Sequence, residues 1–145
     1  MTTVNLGKQH AAAYQRLTDL SAEAATAMEK AGLSAGLTEL IRIRVSQLNG
    51  CAFCLRMHTR DALAKGETPD RVAVLAAWWE SQYFTDQERA ALAVAERVND
   101  IALTPRHPED ESALTDEQVS AVSWLAIVMG AWNRVAITSH YPVAP

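Results

Sequence analysis

Apolar residues recur three or four positions apart in segments that helix-start and helix-stop signals separate. The last segment shows this spacing well, with Val119, Val122 and Leu125 on one face. No segment shows the strict alternation of apolar and polar residues that is typical of a half-buried strand. Abundant Ala, Leu, Glu and Arg also favour helix. The sequence therefore predicts an all-α protein.

The helix signals predict about six helices in one domain over residues 1–145, a length that suits a single core. Two sequences, "TDQE" at 85–88 and "TDEQ" at 115–118, are capping boxes that start helices. We expect helices from about Leu6 to Lys30 (continuous or interrupted), from the Ser34 cap to Asn49-Gly50, from Cys51 to Lys65-Gly66, from Thr68-Pro69 past Trp78-Trp79, from Thr85 to about Ile101, and from Thr115 through Ile137. The "PEDE" at 108–111 reads as a solvated loop and "YPVAP" at 141–145 as a frayed end.

Charge and hydropathy exclude several classes of function. The formal net charge is −4 and no run rich in Lys or Arg occurs, which argues against nucleic acid or a membrane surface as partner. No apolar run approaches the roughly 20 residues of a membrane span. The N-terminal "MTTVNLGKQH" lacks the order of a signal peptide. We expect a cytoplasmic protein, in which a permanent structural disulfide is unusual.

The stretch "NGCAFCLRMH" at 49–58 concentrates the candidate chemistry. It contains the only two cysteines, Cys51 and Cys54, together with His58. Two cysteines three residues apart at a helix start can approach closely enough for a disulfide, and the helix N-terminus and His58 can lower a thiol pKa. If the preceding helix packs antiparallel to this one, Glu39 lies near His58, where a carboxylate can orient the histidine or pass protons to it.

Two other interpretations of the cysteine pair stay open at this point. Cysteine is often buried as a small apolar residue. A zinc site is the chemical alternative, with Cys51, Cys54 and His58 as three ligands. The fourth ligand would then be a distant residue such as His107 or His140, which weakens the zinc interpretation.

The order Glu39, "RIRVSQLNGCAFC", His58 resembles the core of the alkylhydroperoxidase D / carboxymuconolactone decarboxylase family. The sequences "ERAALAVAE" at 88–96 and "WNRVAI" at 132–137 are also similar to that family, in its branch of small peroxidase-like proteins. The resemblance covers about Leu33 to Ile137, which we take as the core of the domain. It implies an all-helical fold that assembles into homo-oligomers, trimers or hexamers.

The resemblance further implies a thiol peroxidase that needs no cofactor beyond a redox-active Cys51–Cys54 disulfide. By this resemblance Cys54 attacks the hydroperoxide, Cys51 resolves the sulfenic acid, and Glu39 and His58 form the proton relay. The best-characterised branch has a histidine where this chain has Phe53, so the relay here is shorter or is completed by water.

The resemblance leaves the electron donor and two other functions open. An external dithiol must reduce the disulfide, and a thioredoxin-like or a lipoyl-bearing protein fits this role. The family also contains lactone decarboxylases, but that branch does not use a cysteine pair. The second of these other functions is a non-enzymatic module, either zinc-bound or redox-sensing.

Other polar and aromatic residues receive structural interpretations. Core packing or a subunit interface is favoured over a pocket wall for the aromatic group Trp78, Trp79, Tyr83 and Phe84. Packing and oligomer contacts are expected for Trp132, Asn133 and Arg134. A solvated or interfacial position is expected for Arg42 and Arg44, with pairing to acids or to Glu39 as the alternative.

Overall fold

The protein is described here from a computed structural model, which covers residues 3–102 and 111–145. The described residues form seven α-helices and no strand, so the all-α prediction is confirmed. The α-helices are α1 (Leu6–Gln9), α2 (Ala11–Lys30), α3 (Ala35–Asn49), α4 (Ala52–Ala64), α5 (Pro69–Val74), α6 (Asp86–Asn99) and α7 (Asp116–Thr138), with 3-10 helices at Leu75–Glu80 and Glu111–Ala113. The "PEDE" loop and His107 lie wholly or largely outside the described residues.

Helices begin at the capping residues that the sequence predicted. Ser34 accepts a hydrogen bond from the backbone N–H of Leu37 at 3.0 Å, and both capping boxes form, at Thr85 and Thr115. The first segment divides at His10, whose backbone is not helical, into α1 and α2. This interruption gives seven α-helices where about six were predicted.

The segment after Thr68 differs from one regular helix. Pro69 occupies the first turn as predicted, but α5 passes into a 3-10 helix at Leu75. Ala77 has a non-helical backbone (φ −129°, ψ 39°), which bends the chain. The bend lets Trp78 lie fully buried, while Tyr83 farther on is half exposed.

The core centres on α3, which packs against α4, α6 and α7. Nine of its fifteen residues are buried, including Leu40, Ile41 and Val45 with no exposed surface. Each such side chain contributes about 1.5–3 kcal/mol by leaving water. Because α3 is enclosed on several sides, its polar residues are held in fixed environments.

An amide network joins the C-terminal end of α3 to α6 and α7. The Asn49 side-chain amide donates to Asn133 and Asn99, each at 2.9 Å, and the fully buried Asn133 donates to Ser46 at 3.0 Å. Among the described residues no buried side-chain N or O atom lacks a hydrogen-bond partner. The packing role predicted for Asn133 is thus confirmed.

One described helix, α7, is long and apolar enough to cross a membrane by length and composition, contrary to the expectation that no segment would be. Its most apolar 18-residue window has a mean hydropathy of 1.3 and is half buried inside the fold. The helix packs against α2, α3 and α6. Core helices of soluble proteins meet the same criterion, so the finding is weak evidence for a membrane span.

Candidate active site

A helical hairpin formed by α3 and α4 brings the predicted polar residues together. Gly50 ends α3 in the left-handed conformation (φ 70°), which a residue with a Cβ adopts at a cost, and α4 begins at Ala52. The two helices therefore run back along each other, and His58 Nδ1 lies 2.9 Å from Glu39 Oε2. The predicted proximity of Glu39 and His58 is confirmed.

The two cysteines lie at the start of α4 and form a disulfide in this structure. Cys51 is the N-cap of the helix, and its sulfur accepts a hydrogen bond from the Cys54 amide at 3.3 Å. Both residues are buried, with exposed fractions of 1% and 2%. In this oxidised form neither sulfur is the thiolate that a zinc ion would bind, so the zinc interpretation applies only to a reduced pair.

Glu39 is a fully buried carboxylate with three nitrogen partners. Its Oε1 accepts hydrogen bonds from Arg42 Nη1 and Lys65 Nζ, each at 2.6 Å, while Oε2 faces His58. Burial raises the pKa of Glu39, but the hydrogen bonds from His58 and Lys65 and the charge of Arg42 outweigh it and lower the pKa to about 2. Glu39 is therefore ionised at neutral pH.

Sequence reasoning missed Lys65 and misplaced Arg42. We predicted a solvated or interfacial Arg42, with pairing to Glu39 as the alternative, and the structure places its side chain, 15% exposed, on Glu39. Lys65 was treated as part of a helix stop. Its sequence position carried a signal, since it follows His58 by seven residues, about two helical turns, and forms the C-cap of α4.

A cavity of about 370 Å³ lies beside this group of residues. Cys54, His58 and Arg42 line it, whereas Cys51 does not. Apart from Ser21, its other walls are apolar or aromatic, and α7 contributes Leu125, Val128, Met129, Trp132 and Ala136. Side chains of a cysteine, a histidine and an arginine therefore line one mostly apolar space.

Aromatic residues from both ends of the chain close the cavity. Tyr14 of α2 meets Trp132 edge to face at a centroid distance of 5.1 Å, and Phe53 meets Tyr141 at the same distance. Burial, followed by the charge and hydrogen bond of Tyr14, raises the pKa of Tyr141. Trp132 was predicted to serve packing and oligomer contacts, but it also forms a wall of this cavity.

The C-terminal segment 141–145, predicted as a frayed end, has no helix, and the structure places it against α4. Arg56 donates to the carbonyls of Ala144 at 2.7 Å and Pro142 at 3.5 Å. His140 has a positive φ of 49°, which turns the chain at the end of α7 toward Tyr141. The sequence signal for this contact was weak, because a Pro-containing terminus usually indicates disorder.

The aromatic group at 78–84 does not line the cysteine cavity, which agrees with the favoured packing interpretation. Trp78 is fully buried and donates from Nε1 to Glu96 at 2.8 Å. Arg44 binds the same Glu96 oxygen at 2.7 Å, with only 10% of its side chain exposed. The solvated or interfacial position predicted for Arg44 is therefore wrong, and the stated alternative of pairing with an acid is what the structure shows, because Glu96 offers a largely buried acceptor.

Glu39, His58 and Asp61 place potential metal-ligand atoms within 4.8 Å of one another. Asp61 Oδ2 lies 3.7 Å from His58 Nδ1. However, both oxygens of Glu39 already have hydrogen-bond partners: Oε1 accepts from the cations Arg42 and Lys65, and Oε2 contacts His58. The donor set therefore suits an ion-pair network better than a divalent metal.

Known proteins share sequence similarity with this chain. A sequence model of the "Carboxymuconolactone decarboxylase family" matches residues 11–97. The uncharacterized protein YdfG of Bacillus subtilis is 39% identical over 104 residues, which cover 68% of this chain and 70% of YdfG. The uncharacterized protein YnjA of Escherichia coli is 30% identical over 71 residues, 49% of this chain and 37% of YnjA.

A solved structure from Agrobacterium tumefaciens has the same fold. It superimposes with a TM-score of 0.84 over 99% of this chain and 100% of its own, at 28% identity. That protein is described as one of unknown function and, provisionally, as the antioxidant defence protein AhpD. The similarity extends beyond the residues of the family match and includes the helices that enclose the cavity.

Proposed function

The chain belongs to the carboxymuconolactone decarboxylase family, and within it we propose a thiol-dependent peroxidase that reduces hydroperoxides through Cys51 and Cys54. The observation that carries the proposal is that Cys54 and His58 line one cavity, while Glu39 contacts Nδ1 of the same imidazole. A reactive thiol needs a nearby base and an accessible space, and this arrangement supplies both.

Glu39 determines which nitrogen of the His58 imidazole can act as the base. A carboxylate only accepts hydrogen bonds, so we assign the proton of neutral His58 to Nδ1, which leaves Nε2 unprotonated. His58 lies four residues after Cys54 on α4, one turn along the same face. Nε2 can therefore take the proton of the Cys54 thiol.

The proposed reaction begins from the reduced cysteine pair. Cys54 gives its proton to His58, and its thiolate attacks the terminal oxygen of the hydroperoxide, forming a sulfenic acid as the O–O bond breaks. The leaving alkoxide takes the proton back from His58 and departs as an alcohol. Cys51 thiol then condenses with the sulfenic acid, which forms the disulfide and releases water.

The unequal positions of the two cysteines support this division of roles. Cys54 lines the cavity, where a hydroperoxide can meet it, and Cys51 lies behind it at the N-cap of α4. Cys54 also lies in the first turn of α4, where the partial positive charge of the helix N-terminus favours a thiolate.

Regeneration requires two electrons and two protons from an external dithiol, which attacks one sulfur of the disulfide. Both cysteines are nearly inaccessible, and only Cys54 lines the cavity. A narrow dithiol arm, such as a lipoyl group, reaches a sulfur at the end of a cavity more easily than a protein surface does. A thioredoxin-like donor remains the second choice and requires local opening.

The assembly in this proposal follows the family expectation of a homo-oligomer, a trimer or hexamer, and the proposed location is the cytoplasm. Two large apolar side chains on α7, Trp124 and Ile127, are each 49% exposed and would be covered by a neighbouring subunit. Light scattering coupled to gel filtration measures the subunit number directly.

Peroxide consumption in the presence of a dithiol tests the function. We expect turnover with hydrogen, alkyl or aryl hydroperoxides, which falls to background in Cys54→Ser. In Cys51→Ser we expect one oxidation of Cys54 per chain without efficient turnover. Arg60→Gln is a matched control, because Arg60 is an exposed residue of the same helix with no ion pair among the described residues.

Three outcomes would contradict the proposal. No turnover with any of these hydroperoxides, and no loss of free thiol on peroxide treatment, would remove the peroxidase. A single oxidation with poor turnover despite abundant reductant would indicate a redox sensor. Lactone decarboxylation that survives in the double variant Cys51→Ser, Cys54→Ser would favour the decarboxylase branch of the family.

A further inference from the structure

Two cations share a single oxygen of the buried carboxylate. Arg42 from α3 and Lys65 from the end of α4 both donate to Glu39 Oε1, and Oε2 is left for His58. We propose that Arg42 and Lys65 are positioning residues that keep Glu39 an anion throughout the reaction, so that Glu39 orients His58 and the proton path ends at His58. This inference rests on the proposed function and refines the relay that family resemblance implies.

The charges around Glu39 carry the argument. Burial alone favours a neutral carboxyl group, since Glu39 has no exposed surface. A proton on Glu39 would leave the guanidinium of Arg42 and the ammonium of Lys65 facing a neutral group, with their mutual repulsion uncompensated. Both cations contact Oε1 at 2.6 Å, so the ionised form is strongly favoured. The lowered pKa of Glu39, about 2, agrees with this.

The other titratable groups nearby do not reverse this balance. On α4, Asp61 lies 3.7 Å from His58 but is half exposed to water. Around the cavity, Cys54, Tyr14 and Tyr141 are uncharged in their protonated forms. The side chains that α7 contributes to the cavity are apolar or aromatic. Arg42 and Lys65 are therefore the cations that balance Glu39.

The consequence for the reaction is a short proton path. With Nδ1 engaged by a permanent anion, the mobile proton moves among the Cys54 sulfur, His58 Nε2 and the leaving oxygen. With His58 neutral, Glu39, Arg42 and Lys65 together carry one net positive charge. That charge stabilises the Cys54 thiolate, and no proton needs to reach Glu39.

The titration of Glu39 tests the inference without any peroxide. The reduced protein is labelled with ¹³C at the glutamate carboxyl groups, and Glu39→Gln identifies the Glu39 signal. We expect its titration midpoint to lie well below the ordinary glutamate value in the natural sequence. In Lys65→Met the midpoint should rise by about one pH unit or more, because an opposite charge at this distance is removed.

A second readout is the rate at which iodoacetamide alkylates Cys54 in a Cys51→Ser background. The midpoint of the acid limb of this rate profile should move to higher pH in Lys65→Met. It should return to its original pH in Lys65→Arg, which restores the charge. Arg60→Gln, a charge removal elsewhere on α4, should change neither readout. Arg42→Gln should act in the same direction as Lys65→Met, and circular dichroism checks that each variant is folded.

Two results would overturn the inference. One is a Glu39 midpoint at or above the ordinary value in the natural sequence. The other is a midpoint that neither Lys65→Met nor Arg42→Gln changes. Neither readout requires turnover, so the inference can fail while the peroxidase stands, and the peroxidase can fail while Glu39 proves to be a locked anion.

Discussion

Arg42 and Arg44 are two residues apart on α3, yet they pair with two different carboxylates, the fully buried Glu39 and the largely buried Glu96. Two residues correspond to about 200° around a helix, so the side chains leave on opposite sides. Arg42 pairs with Glu39 beside the cysteine cavity, whereas Arg44 pairs with Glu96, which also accepts a hydrogen bond from Trp78. Both ion pairs are short and largely buried.

The difference between the two pairs lies in their neighbours. Glu39 contacts His58, which lines a cavity together with Cys54. Glu96 joins α3, α6 and the 3-10 helix at Leu75–Glu80, and it does not line that cavity. A buried ion pair is thus no marker of a functional site by itself; a titratable partner and an open space beside it are the informative features.

Replacing each carboxylate by its amide gives the largest expected contrast. Glu39→Gln removes the anion that orients His58, and we expect the peroxidase kcat/KM to fall by about 10²- to 10⁴-fold, the range of general acid–base catalysis. Glu96→Gln should leave the rate per folded molecule within a few-fold of the natural sequence. Equal losses in the two variants would show that Glu39 serves packing alone.

Replacing Arg44 should expose the structural nature of the second pair. Arg44→Met leaves the Glu96 carboxylate without its guanidinium, and we expect a loss of about 3 kcal/mol in the free energy of unfolding. Urea denaturation measures this loss. The acid limb of the Cys54 alkylation profile should stay in place, and a displaced limb would contradict the separation of the two pairs.

Acid should weaken the Glu39 pair in a defined pH window. The folded-state pKa of Glu39 lies at about 2, below its unfolded value of 4.5, so the ionised group stabilises the fold above pH 4.5. This contribution, about 3 kcal/mol, is lost as pH falls toward 2. Denaturation across this range should show the loss in the natural sequence and a smaller one in Glu39→Gln; identical pH slopes would contradict it.

The smallest expected effect concerns the cavity wall. Tyr141→Ala removes the edge-to-face contact with Phe53 and should cost about 1 kcal/mol of stability, while a bulky dithiol should reduce the disulfide faster. Tyr83→Ala, a half-exposed tyrosine outside the cysteine cavity, is the matched control and should leave the reduction rate unchanged. An unchanged rate in Tyr141→Ala would mean that the reductant enters by another route.

The predictable part of the site is local in sequence. Glu39 and His58 flank one glycine hinge, so helix periodicity and an antiparallel hairpin suffice to bring them together. Lys65 was accessible by the same reasoning, but its position at a helix end suggested only a stop signal. The helix starts were predictable for a similar reason, because caps act within four residues.

The unpredicted part depends on contacts between distant segments. Nothing local in the sequence indicates that Trp132 meets Tyr14, or that Arg56 holds the carbonyls near the C-terminus. Likewise, helix spacing shows that Arg42 and Arg44 point apart, but which of them meets the cavity depends on how α3 packs against α4 and α6. These contacts are set by the tertiary fold.

The aromatic closure of the cavity separates reactivity from selectivity along the chain. The residues with proposed reactive roles occupy one hairpin between Glu39 and Lys65. Apart from Phe53, the aromatic side chains that line the space, Tyr14, Trp132 and Tyr141, come from near the two ends. Mutation at the ends can therefore change which molecules enter while the chemistry stays intact. In evolutionary terms, one hairpin can serve many substrates.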